Sequence, residues 1–195
     1  MYALPITINI KDTVYTIRNN GDYRMVLDCF TALNDVELSE TERIITSLFI
    51  FYSDFAGVEG VLRCDDETIV ELVNQMFDFM NCHGQQSGAK TNFKAIDWDT
   101  DEQLICSAIN NVAKMEIRSI EYCHWWTFMG YFSAVGESPL ATVVGIRNKI
   151  AKGKKLEKYE TEFRRDNPQY FIWDSRTLQQ KEEDELLKQL WNSED

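Results

Sequence analysis

Strict alternation opens the chain, and helical spacing takes over after it. Ile6, Ile8 and Ile10 alternate with polar residues, and Val14, Tyr15, Thr16 and Ile17 follow a Lys11-Asp12 turn, which predicts a β-hairpin over residues 5–17. Two strands alone are marginal in water, so the hairpin is expected to lie on helices, closed by Asn19, Asn20 and Gly21. From Asp22 to Leu33, Met25, Val26, Cys29, Phe30 and Leu33 share one helical face. Ser39-Glu40-Thr41-Glu42 is a capping box, since the Ser39 hydroxyl reaches the N3 amide and Glu42 reaches back. The helix behind it is expected to run to about Ser53, with Ile44, Leu48, Phe51, Tyr52 and Phe55 as its stripe. Asp65, Asp66 and Glu67 favour the positive end of a third helix, where Ile69, Val73, Met76 and Met80 recur with Val70 and Phe77 beside them. His83 to Lys90 is small, polar and glycine-bearing, a linker. Phe93 to Trp98 is short and extended, after which Asp99 or Thr100 caps a fourth helix with Leu104, Ile105, Ala108, Val112 and Met115 inward.

The next stretch concentrates the largest side chains of the molecule. Tyr122, Trp125, Trp126, Phe128 and Tyr131 put five aromatic rings into ten residues. The spacing predicts one helix opening at Ser119, with Ile117, Ile120, His124, Phe128, Tyr131 and Val135 on one stripe and Trp125, Met129 and Phe132 on another. A helix apolar nearly all round is a buried one. Ser138 and Pro139 then read as N-cap and N1 of a helix carrying Leu140, Val143, Val144 and Ile146 to Arg147. Gly153 to Arg165 is charged and helical, and Asn167-Pro168 breaks it. Tyr170, Phe171, Ile172 and Trp173 form an apolar knot, and Thr177 to Trp191 is a polar helix with Leu186, Leu187, Leu190 and Trp191 to bury. The fold class is therefore mainly α: a compact helical domain over residues 1–150 with its N-terminal β-hairpin, followed by a charged helical extension over 151–195.

Composition supports long helices, because three prolines and nine glycines are too few for a many-turned β-sandwich. A net charge of −12 disfavours nucleic acid, whose binding requires a cationic surface to release counterions. The charge is uneven, with eight Lys/Arg against three Glu between Arg147 and Arg165. Five cysteines, Cys29, Cys64, Cys82, Cys106 and Cys123, are scattered among apolar residues without a CxxC pair, so they read as reduced thiols of an intracellular protein. The segment MYALPITINI lacks the basic start of a leader peptide, and no run approaches the ~20 apolar residues of a membrane span, so the expectation is a soluble protein.

Three constellations imitate chemistry. Cys82-His83 and Cys123-His124 offer zinc-type ligands, but adjacent helical residues point about 100° apart and chelate poorly as a unit. Asp97-Trp98-Asp99-Thr100-Asp101 resembles the start of a calcium loop, yet Glu102 stands where that loop needs Gly and Ala108 where it needs Glu. His124 has Glu121 one turn back as an orienting carboxylate, but no nucleophile elbow, glycine-rich phosphate loop or HExxH accompanies it. The expectation is therefore a core histidine, no enzyme, no metal and no cofactor. The last helix has too weak an apolar seam to stand alone, so it is either frayed or docked on something. Tyr170, Phe171, Trp173, Leu187, Leu190 and Trp191 are the candidate partner-binding residues.

Ile96-Asp97-Trp98-Asp99-Thr100-Asp101 with Leu104-Ile105, then Glu116-Ile117, Ile120-Glu121 and His124-Trp125-Trp126-Thr127-Phe128, and finally Val144-Gly145-Ile146-Arg147, resemble the bacteriophage gene-product-fifteen family. These are tail-region proteins of siphophages of Gram-positive bacteria. The resemblance covers roughly residues 5–170 in order and spacing, hairpin included. HWWxF is short but specific, because tryptophan pairs are rare. The Lys-rich segment after Arg147 and the tail beyond Pro168 depart from the family pattern. His124, Trp125, Trp126, Phe128 and Arg147 are its motif residues here, read as core packing, and the family carries no catalytic residue over.

The resemblance implies a tail assembly chaperone that binds the apolar tape-measure helix and gives way as tail-tube subunits polymerise. Its expected partners are the tape-measure protein, the tail-tube protein and further copies of this chain, with no membrane. Its expected place is the host cytoplasm rather than the mature virion. A structural virion component, such as a tail-completion or connector protein, is the alternative. A DNA-binding or regulatory protein using the 147–165 basic patch is a third reading.

Overall fold

The computed structural model describes residues 3–83, 95–98 and 100–171. Two short strands, β1 (Thr7–Ile10) and β2 (Thr13–Thr16), pair antiparallel with Ile8 opposite Tyr15 and Ile10 opposite Thr13. Lys11 takes the turn at φ 53°, and its ammonium reaches Glu67 at 2.9 Å, so the hairpin tip rests on the start of a helix. Eight helices follow among the described residues: α1 (Tyr23–Asn34), α2 (Glu40–Phe51), α3 (Val58–Leu62), α4 (Asp66–Met80), α5 (Glu102–Ala113), α6 (Trp125–Ser133), α7 (Pro139–Ala151) and α8 (Lys158–Asp166). The mainly α class with an N-terminal hairpin is the observed one.

Local chemistry explains most helix starts. Asp22 caps α1 by accepting the Arg24 amide, and Asp65 caps α4 by accepting the Thr68 amide. Ser39 and Glu42 form the capping box of α2, and Ser138 caps α7 with Pro139 at its first position. One core runs through the molecule, built on Leu48, Phe51, Tyr52, Leu72, Met76, Phe79, Ile109, Ile117, Trp125 and Phe128. Pairs of ring edges and faces fill it, with Tyr23 stacked on Phe128 at 4.4 Å and Phe51 edge-on to Phe79 at 5.3 Å.

Several expectations need correction. The aromatic helix does not open at Ser119: residues 117–119 make a single 3-10 turn, the chain then runs extended, and His124 is the cap of a helix that begins at Trp125. The cause is tertiary. Cys123 donates its amide to the Asp22 carboxylate and its carbonyl takes the Tyr23 amide, so the backbone there is tied to the start of α1 and cannot coil. Asp101, rather than Asp99 or Thr100, immediately precedes α5, and its buried carboxylate is turned away from the helix amides. The buried face of α4 is Leu72, Met76, Phe79 and Met80, while Val70 is exposed and Ile69 and Val73 are only half-buried. Helix α3 had no counterpart in the sequence reading. On α5, Ile105, Cys106, Ala108 and Ile109 are buried and Met115 is exposed. The Thr177–Trp191 helix and most of the His83–Lys90 linker lie outside the described residues.

Candidate functional site

The HWWxF residues form one structural joint. His124 is 1% exposed; its Nδ1 accepts the Trp126 amide at 3.1 Å and its Nε2 sits 3.0 Å from the Pro5 carbonyl oxygen. With Nδ1 accepting, Nε2 carries the proton and donates to Pro5, which fixes the neutral tautomer. The ring thus caps α6 and holds the chain leading into the hairpin. Both nitrogens are committed, so no lone pair remains for a metal or a substrate proton. Burial, the larger influence, pushes this histidine below its ordinary value, against the opposing hydrogen bond to Pro5.

The two tryptophans do parallel work. Trp125 Nε1 donates to the Met80 carbonyl at 2.8 Å and Trp126 Nε1 to the Phe79 carbonyl at 3.0 Å. Those carbonyls belong to the last turn of α4, where no further helical turn follows to satisfy them, although the Phe79 carbonyl also takes the Cys82 amide at 2.9 Å. The tryptophan pair therefore caps α4 from outside while filling space with rings, and Phe128 completes the joint by stacking on Tyr23. Gly21 lies beneath it at φ +76°, and a Cβ there would meet Phe79 Cζ at 2.9 Å and His124 Nε2 at 3.0 Å.

Arg147 forms a second joint. It is 3% exposed and holds the fully buried Asp101 in a two-pronged ion pair, with Nη2 donating to Oδ1 at 2.9 Å. Its remaining donors go to the Ala95 carbonyl at 3.1 Å and, through Nε, to the Tyr170 carbonyl at 2.8 Å. Asp101 also accepts the Asp97 amide at 2.9 Å. One guanidinium thus joins α7, the approach to α5 and the turn after α8. The fork geometry of arginine suits this task, which a lysine point charge would not fulfil. Arg147 belongs to the core as an ion pair rather than as apolar packing.

Neither constellation that imitated a metal site assembles into one among the described residues, where no group of three or more His, Cys, Asp or Glu converges. Asp97 accepts the Thr100 amide and Asp101 serves Arg147, so both are engaged in holding the loop. The described cysteines are free thiols, and burial pushes Cys29, Cys106 and Cys123 upward, which keeps them protonated and weakly nucleophilic. Every buried side-chain nitrogen and oxygen of the described residues has a hydrogen-bond partner.

Two surface features remain, of which the sequence showed only the second. A cleft of about 320 Å³ opens between α1 and α5, with Tyr23, Leu27, Trp98, Ile105 and Phe128 as its apolar wall and Arg24, Asp28, Glu102 and Arg118 around its mouth. Only the tertiary structure brings these segments together, so no local signal marks them. The second is the stretch from Arg147 to Arg165, which begins on α7. Of its eight cations Arg147 is buried, Lys149 holds Glu160 at 2.7 Å and Arg165 holds Asp166 at 2.9 Å. Lys152, Lys154, Lys155, Lys158 and Arg164 are exposed. Of the candidate partner-binding residues, Tyr170 and Phe171 are half-buried, with Phe171 edge-on to Phe163 at 6.5 Å. Trp173, Leu187, Leu190 and Trp191 lie outside the described residues.

No curated protein and no solved structure matches this chain significantly. A family model described as the bacteriophage Gp15 protein matches residues 2–171, a span that holds both buried joints and the whole of the described structure. With nearly all of its length matched, the chain belongs to the bacteriophage Gp15 protein family and is a phage protein.

Proposed function

We propose that this protein is a non-enzymatic tail assembly factor that binds the tape-measure protein and keeps it soluble until tail-tube subunits enclose it. Family membership over residues 2–171 is the observation that carries the reading. The two joints support it indirectly, because the most distinctive residues of the chain are engaged in holding helices together and leave interaction surfaces as the means of action. Its place of action would be the host cytoplasm, with the protein absent from the finished particle. Co-expression with the tape-measure protein tests the proposal: a soluble complex should elute together, and unchanged tape-measure solubility with no complex ends it. Mass spectrometry of purified virions separates the assembly factor from a structural component, which would be present in stoichiometric amount.

A further inference from the structure

The cleft has Asp28 and Glu102 at its mouth, the arm has exposed cations, and none of the cleft-lining residues belongs to the arm. At the cleft mouth the arginines are already engaged. Arg24 holds Asp22 at 3.2 Å and the Ile120 carbonyl at 2.7 Å, and Arg118 holds Glu116 at 2.8 Å. Glu102 stands 3.8 Å from Arg118, and Asp28 has no hydrogen-bond or ion-pair partner among the described residues. Two carboxylates, Asp28 and Glu102, thus stand at the mouth beside two guanidiniums that Asp22 and Glu116 already engage. The arm offers the converse. Tyr159 is 62% exposed, with Lys158 adjacent and Lys155 four residues before it, both exposed. A tyrosine combines a large ring with a polar tip, which suits a pocket walled by rings and rimmed by polar groups.

We propose that the cleft between α1 and α5 receives Tyr159 from a second copy of this chain, with Lys155 and Lys158 meeting Asp28 and Glu102. Charge selects the occupant. Residues 174–195 of the chain carry seven acids against three bases and would be repelled by the same rim. The rest of a second copy is acidic as well, so the 152–164 arm, with five cations against three acids, is the part of it that Asp28 and Glu102 attract. The contact joins two different surfaces, so it either closes reciprocally in a dimer or repeats head to tail. This inference does not depend on the tape-measure reading.

The test is the mass of the full chain in solution by sedimentation or light scattering, at about 20 mM and about 0.5 M salt, because exposed ion pairs are screened in the second condition. The wild type should exceed monomer mass at low salt and fall toward it at high salt. Asp28→Lys should remove association through the cleft, and Lys155→Glu with Lys158→Glu should remove it through the arm. Mixing the two variants should restore a complex, because one supplies an intact arm and the other an intact cleft. Tyr159→Ala should weaken association at least tenfold with an unchanged circular dichroism spectrum. If Asp28→Lys melts early, Thr31→Trp is the second cleft variant, since Thr31 is exposed and lines the same space. A monomeric wild type at low salt, variants that associate like the wild type, or a mixture that stays monomeric would each overturn the proposal.

Discussion

The His124 joint and the Arg147 joint solve the same problem with opposite electrostatics. Each ties segments far apart in sequence through one nearly fully buried polar side chain. His124 links residue 5 to α6 as a neutral ring, using two hydrogen bonds and no ion pair. Arg147 links residues 95, 101 and 170 as a full charge balanced by a full charge. A neutral joint costs little to desolvate and fails gently when one bond is lost. A charged joint is expensive to bury, and half of it left behind is worse than none of it. The first sits under the apolar core; the second fastens the charged extension to that core.

Removing half of the charged joint should have the largest effect. Arg147→Met leaves Asp101 buried without its cation and should destabilise the fold by roughly 3–5 kcal/mol in denaturant unfolding. The double variant Arg147→Met with Asp101→Leu should recover much of that loss; equal losses in single and double variants would show that the pair, rather than an orphaned charge, dominates. Next comes Gly21→Ala, where a positive φ and the approach of Phe79 and His124 act together. The expected loss is about 1–3 kcal/mol, and a neutral result would mean that the neutral joint can shift. Trp126→Phe keeps a ring on α6 but removes the donor to the Phe79 carbonyl, for an expected loss of about 1 kcal/mol.

The smallest and most specific effect concerns pH. Burial holds folded His124 below the ordinary histidine value of 6.5. The unfolded chain therefore binds the proton more readily than the folded one, so stability is complete above 6.5 and declines as pH falls below it. Protonation places a hydrogen on Nδ1 facing the Trp126 amide, which removes the α6 cap. His124→Asn retains a capping acceptor and should flatten this acid-side slope at a modest cost in stability. An unchanged slope would place the titrating group elsewhere.

Legibility in the sequence followed the range of the forces involved. The hairpin, the Ser39 capping box, the Asp65 start of α4, the Ser138-Pro139 start of α7 and the Asn167-Pro168 stop are all set within a few residues, and all were readable. The α4 face was misjudged because Ile69, Val70, Val73 and Phe77 offer a second apolar stripe, and the choice between the two depends on where α2 and α6 press. The aromatic helix was read too long because Ile117 and Ile120 continue its spacing, while the bonds that keep that backbone extended come from Asp22 and Tyr23, about a hundred residues earlier. Arg147 looked like one more cation of a basic run, and nothing local distinguishes a buried arginine from an exposed one.

By itself the sequence determined the class of the fold, the starts of α1, α2, α4 and α7, and membership in a phage family through HWWxF and the residues around it. Those depend on propensity, caps and rare side chains, which act at short range or can be recognised without coordinates. Tertiary structure alone decided what the motif does. It turned His124 into a cap, aimed both indoles at the end of α4, withdrew Arg147 from the basic patch, and brought Asp28 and Glu102 to the mouth of an apolar cleft. Each outcome depends on which distant group arrives to satisfy a buried donor or charge, and that is fixed only when the chain closes on itself.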